Sequence, residues 1–165
     1  MRHPALAAIA TGTVALSITI AGCGGSSVPA DFSLVQRPPH LAAVDQGAAG
    51  VSTADLDVFD AALTKDGAPF GTLYGEQTVE AEAGSIAAHN AVETRMTDLI
   101  FDLPDGQIVV HGASAYPRGN WHMHAGTPVV RAIVGGTKAY VGAGGELTTT
   151  RNANGSYTQA FHFVG

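Results

Sequence analysis

From Leu56 onward, apolar and polar side chains alternate in short runs, and the runs end at clusters of Gly, Pro, Asn and Asp. Alternation with period two places successive side chains on opposite faces of a strand. Leu99, Phe101 and Leu103 share one face, while Met96, Asp98, Ile100 and Asp102 share the other. Tyr157, Phe161 and Phe163 likewise oppose Ala160, His162 and Val164. The pattern predicts strands over 56–63, 70–82, 93–103, 107–116, 127–134, 139–150 and 157–164. A short earlier strand, Phe32–Gln36, is stopped by Pro38. The turns between them are Lys65-Asp66-Gly67, Pro104-Asp105-Gly106, Pro117-Arg118-Gly119-Asn120 and Asn152-Ala153-Asn154-Gly155. No convincing amphipathic helix interrupts this series. The predicted class is all-β, an antiparallel barrel or sandwich, and a small barrel with a packed or partly polar interior fits the two-sided strands best.

The chain begins differently. Ala5 to Ala21 carries no charge behind a short head, Met1-Arg2-His3, and ends in Ile20-Ala21-Gly22-Cys23. As a helix it would reach about 26 Å, marginal against the roughly 30 Å of a bilayer core. A charged head, an apolar run and a small-residue exit are the parts of a secretory signal peptide. The residues before Cys23 resemble the bacterial lipobox, which implies cleavage before Cys23 and transfer of diacylglycerol and a palmitate-type acyl group to it. The expected divisions are a signal peptide over 1–22, a lipidated tether over 23–50 that includes the first short strand, and a barrel over 51–165. The expected location is the cell envelope, outside the cytoplasm and lipid-anchored.

Composition narrows the function classes. Fourteen acidic side chains against eight basic ones give a net charge of −6, the wrong sign for a nucleic-acid surface. Loss of Arg2 with the leader makes the body more acidic still. Cys23 is the only cysteine, so neither an internal disulfide nor a cysteine-based zinc cage can form. An exported free thiol is a liability in an oxidising compartment, and acylation would remove it.

Val130 to Glu146 reads VRAIVGGTKAYVGAGGE. A strand closing in Gly135-Gly136-Thr137, then Tyr140 and the small stretch Gly142 to Gly145, resembles the allene oxide cyclase barrel superfamily, which includes the dirigent proteins. Pro104 to Gly112, and Ala62 to Gly67 followed by Gly71 and Gly75, resemble two of its hairpins. The resemblance covers about 51–165 and implies an eight-stranded antiparallel barrel with a central cavity, able to associate through its outer surface as a homo-oligomer. It implies no particular reaction. The acidic and cysteine positions of the plant cyclases fall at Gln36 and Gln77, and a neutral amide is neither an acid nor a nucleophile.

Trp121-His122-Met123-His124 is the most chemical stretch. Two histidines at i and i+2 share one face of a strand and could grip a metal, with His111, His162, His89 or Glu93 as a third ligand. Read as a rim of loop histidines, the same pair holds none, and no metal or other cofactor is expected. Arg131 stands mid-strand between Val130 and Ala132. Inside a barrel it would pair with Asp98 or Asp102 or meet an anionic ligand; outside, it would face water. His111 is a candidate pocket donor or a structural histidine, and Trp121 a rim residue or cavity cap. The expected ligand-binding set is therefore His111, Trp121, His122, His124 and Arg131. The first expected function is binding of a hydrophobic or phenolic small molecule by an envelope-anchored barrel. The alternatives are an isomerase, cyclase or dirigent-type enzyme acting in the cavity, and a protein-interaction module with a filled barrel.

Overall fold

The computed structural model describes residues 28–81 and 92–165. The expected signal peptide, Cys23 and His89 lie outside them. Among the described residues nine strands follow in chain order: β1 (Phe32–Gln36), β2 (His40–Val44), β3 (Leu56–Lys65), β4 (Ala68–Ala81), β5 (Val92–Leu103), β6 (Gly106–Pro117), β7 (Pro128–Gly136), β8 (Gly144–Arg151) and β9 (Tyr157–Val164). Every pairing between them is antiparallel, and neighbours run β1-β9-β8-β7-β6-β5-β4-β3-β2. A β1–β3 pairing closes the ring.

The closed ring has eight walls because β1 and β2 act as one broken strand. Gln36 pairs with Leu63 and His40 with Asp60, so both segments run along the same edge of β3. Pro38 and Pro39 fall in the break, where they owe no ladder hydrogen bond. β1 and β2 both lie within the stretch read from sequence as tether. β2 has no sequence signal because its Ala-rich side chains are mostly exposed and its order comes from backbone bonds to β3.

The strand expected over 139–150 begins only at Gly144. Lys138–Tyr140 is a 3-10 turn instead, closed by Tyr140 N–H donating to the Thr137 carbonyl at 2.9 Å. Burial of one ring decides this. Tyr140 folds under the barrel and stacks on Phe163 with ring centres 6.3 Å apart. Gly136 makes room, since a Cβ there would overlap Tyr140 and the Gln107 carbonyl. The Gly135-Gly136-Thr137 block thus serves a tucked aromatic.

The lower half of the barrel is a packed apolar plug. Leu34, Leu63, Leu73, Leu99, Phe101, Leu103, Ile108, Val110, Ile133, Leu147, Phe161 and Phe163 are all buried there. Phe59 also turns inward, and its ring lies over Gly75, where any Cβ would collide with it. The hairpins Asp66-Gly67 and Pro104-Asp105 close this end. The opposite end carries longer connections, 45–55 and 118–127.

Candidate functional site

All eight walls change character at one level. Moving up the barrel by one inward position, or two, Leu34 gives way to Gln36, Ala61 to Asp57 across Phe59, and Leu73 to Gln77 across Gly75. Leu99 gives way to Thr97, Val110 to Ser114 across Gly112, and Ile133 to Arg131. Leu147 gives way to Thr149, and Phe161 to Gln159. Every one of these polar side chains is buried. A buried polar ring is costly unless its members are hydrogen-bonded, so its bonding pattern shows what it can accept.

Two networks satisfy most of the ring. On one side, Gln159 Nε2 donates to Gln36 Oε1 at 2.6 Å, and the Thr149 hydroxyl donates to Gln159 Oε1 at 2.7 Å. Arg131 donates to Thr149 Oγ1 at 3.4 Å and to the Tyr116 hydroxyl at 3.1 Å. On the other side, Arg95 donates to Glu93 Oε2 at 2.8 Å, to Asp57 Oδ2 at 3.3 Å and to Gln77 Oε1 at 3.5 Å. The Arg95 guanidinium lies between aromatic faces, 4.9 Å from the centre of Tyr116 and 4.5 Å from that of Trp121. Thr97 Oγ1, Ser114 Oγ and Asp57 Oδ1 are buried and have no hydrogen-bond partner among the described residues.

Loop 118–127 covers this level. Glu93 Oε1 accepts the Gly119 backbone N–H at 2.7 Å, and Met123 is buried. His122 Nδ1 lies 3.1 Å from the Tyr157 hydroxyl. Burial first, and then the charge of Arg151, hold the His122 imidazole below its ordinary pKa, so it is neutral near pH 7. Beneath the loop is a small cavity of about 40 Å³. Gln36, Gln77, Thr97, Tyr116, Trp121, His122, Arg131, Thr149, Tyr157 and Gln159 all line it.

Three of the residues singled out from sequence, Trp121, His122 and Arg131, therefore meet at one cavity. Gln36 and Gln77 join them. His111 and His124 do not. His111 is on the outer wall, where its Nδ1 is 2.6 Å from Asp98, and His124 is exposed. Among the described residues no three His, Cys, Asp or Glu side chains converge on a metal-sized site. Asp98 and Asp102 also sit on the outer face, so neither is the partner anticipated for Arg131. Sequence reasoning missed Arg95, Asp57 and Tyr116 as site residues. Arg95 alternates in step with Thr97 and Leu99, so period two alone would have turned it inward.

Burial pushes the Asp57 carboxyl up to about 6, against the pull of Arg95 and with help from the like charges of Asp55 and Glu93. The folded state then holds more protons than the unfolded state between roughly pH 4 and pH 6. Asp57 should therefore make the fold less stable as pH rises through that window and leave it level above. Urea midpoints at several pH values, for the native chain and D57N, should diverge in this sense. Parallel curves would show that Asp57 titrates normally.

A closed antiparallel barrel with an apolar plug and a capped polar chamber defines the class. No family model matches the chain, and no curated protein matches it in sequence. Solved structures do match. A pyocyanin demethylase superposes with a TM-score of 0.66 at 24% identity, over 82% of this chain and 100% of that one. The Diels Alderase AbmU from Streptomyces koyangensis follows at 0.58 and 16%, over 85% of this chain and 68% of that one. A nonspecific heme-binding cyclase of neoabyssomicin biosynthesis gives 0.54 and 15%, over 82% and 66%. These likenesses establish the barrel fold.

Proposed function

We propose that the upper chamber binds a hydrophobic, ring-bearing small molecule, phenolic in character, in a protein held at the cell envelope by lipid on Cys23. The observation that carries this reading is the change from apolar to polar interior on all eight walls, which leaves a cavity lined in part by Thr97, whose hydroxyl has no partner among the described residues. A barrel evolved only to be filled would gain by apolar side chains at these positions. Trp121, Tyr116 and Tyr157 offer ring faces and edges, and the Thr97 hydroxyl offers orientation. The fold of the solved cyclase and demethylase barrels supports the reading, as does the likeness to allene oxide cyclase and dirigent barrels. β1 starts at the plugged end, where Phe32 stacks on Phe161 at 4.7 Å. An anchor at Cys23 would therefore lead from that end and turn the chamber away from the membrane.

The present cavity holds only a few waters, so a ligand must lift loop 118–127. Trp121, the single tryptophan, sits in that loop and reports on it. Titration with phenol, 1-naphthol and a three-ring phenol should give a saturable change in Trp121 emission with at least one of them. No saturable response to any, confirmed by calorimetry, would reject the binding reading.

Asp57 favours a second reading, an acid–base enzyme of the isomerase or cyclase kind in the same chamber. Its carboxyl is poised near neutrality with one oxygen unpartnered, and its ladder neighbour Gln77 lines the cavity.

A further inference from the structure

Arg131 is 4% exposed, and among the described residues no carboxylate forms an ion pair with it. Its hydrogen-bond partners among the described residues, Tyr116 and Thr149, are neutral hydroxyls, and its Nε has none there. Arg95, equally buried, shows what this fold does with a cation it must keep: two carboxylates contact that guanidinium. Asp57 and Glu93 both form their ion pairs with Arg95, not with Arg131. A guanidinium cannot shed its proton at any ordinary pH, and a buried charge without a counter-charge is costly. Waters in the cavity can solvate Arg131 but cannot neutralise it.

The surroundings of Arg131 suit an incoming anion. The β6–β7 ladder ends at His111 and Ala132, so the two walls part beside Arg131, under loop 118–127. Its stem packs on Gly112, where a Cβ would stand 3.4 Å from the Arg131 Cβ and Cγ. The Tyr116 hydroxyl accepts from Arg131 and so keeps its own proton to donate into the chamber. Arg151 acts on both His122 and Tyr157, which adds positive potential at the mouth.

We infer that the occupant of the chamber bears an acidic oxygen, a carboxylate or a phenolate on an aromatic ring system, and that Arg131 is the residue that receives it. This rests on the binding reading above and narrows it to one chemical class. The anion would supply the missing counter-charge, take hydrogen bonds from Arg131 and Tyr116, and place its rings against Trp121 and Tyr157.

The test compares 1-naphthoate, 1-naphthol and neutral 1-naphthamide by calorimetry on the full chain and on R131Q and R131K. On the native chain, 1-naphthoate or 1-naphthol should bind at least tenfold more tightly than 1-naphthamide. A carboxylate site favours 1-naphthoate; a phenolate site favours 1-naphthol, with a proton released on binding. R131Q should erase the preference, and R131K should keep part of it. If R131Q fails to fold, the native ratio of acid to amide and the reduced ratio in R131K decide the matter. Equal binding of 1-naphthamide on the native chain, or an acid preference that survives in R131Q, would overturn the inference and leave small-molecule binding intact. Failure of all three probes to bind would overturn both.

Discussion

Replacing Arg95 with methionine should cost about 3–5 kcal/mol of stability, the usual effect of removing one partner from a buried ion pair. Arg95 is fully buried and touches Glu93 and Asp57, both with almost no exposed side chain. Methionine keeps most of the volume, so the loss reads charge more than packing. Two carboxylates would then share a dry site, and Trp121 would lose the cation beneath its ring. Urea denaturation measures the loss, and Trp121 emission should move to longer wavelength as loop 118–127 loosens. The triple variant R95M/D57N/E93Q should recover much of the deficit, because it removes the stranded charges as well. A loss below about 1 kcal/mol in R95M would show that the carboxylates are hydrated or protonated in the fold.

Phe101→Ala should cost a similar amount, about 3–5 kcal/mol, for a different reason. Phe101 is fully buried at the centre of the plug, and its ring meets Phe161 edge to face at 4.9 Å. Truncation removes apolar burial and leaves a void between rigid strands that cannot collapse into it. The outward neighbour is the control. Ile100 is 41% exposed, and I100A should stay within about 0.5 kcal/mol. Comparable losses in the two variants, read from denaturant midpoints, would show that the plug does not carry the stability assigned to it here.

Much of the barrel was legible before folding because strands obey a local rule. The period of two in Leu99-Phe101-Leu103 and in Tyr157-Phe161-Phe163 states which side chains go inward, and the structure buries all six. Turn residues mark most hairpins for an equally local reason, the backbone angles that Gly and Asn-Gly supply. Local rules fail where distant contacts decide. β2 exists because β3 offers it an edge, and Lys138–Tyr140 turns because Phe163, more than twenty residues away, has room for a ring.

The site divides in the same way. Alternation turns Thr97 and Arg95 inward in step with Leu99, but leaves Arg131 open, because Val129 and Ile133 on its face are matched by Val130, Ala132 and Val134 on the other. It does not say which of them meets an acid. Asp98 and Asp102 are possible partners of Arg131 by charge, yet their position in the pleat sends them outward. Glu93 and Asp57 reach Arg95 instead, Asp57 across 38 residues of chain.

The amino-acid sequence by itself determined the all-β class, the inward face of the principal strands and the turns that join them, because each depends on neighbours a few residues apart. Only the tertiary structure decided that eight walls turn polar at one level, that Trp121 caps the resulting chamber, and that Arg131 is buried there with no carboxylate paired to it among the described residues. Those facts depend on the register between strands, and register is set by the packing of the closed barrel as a whole.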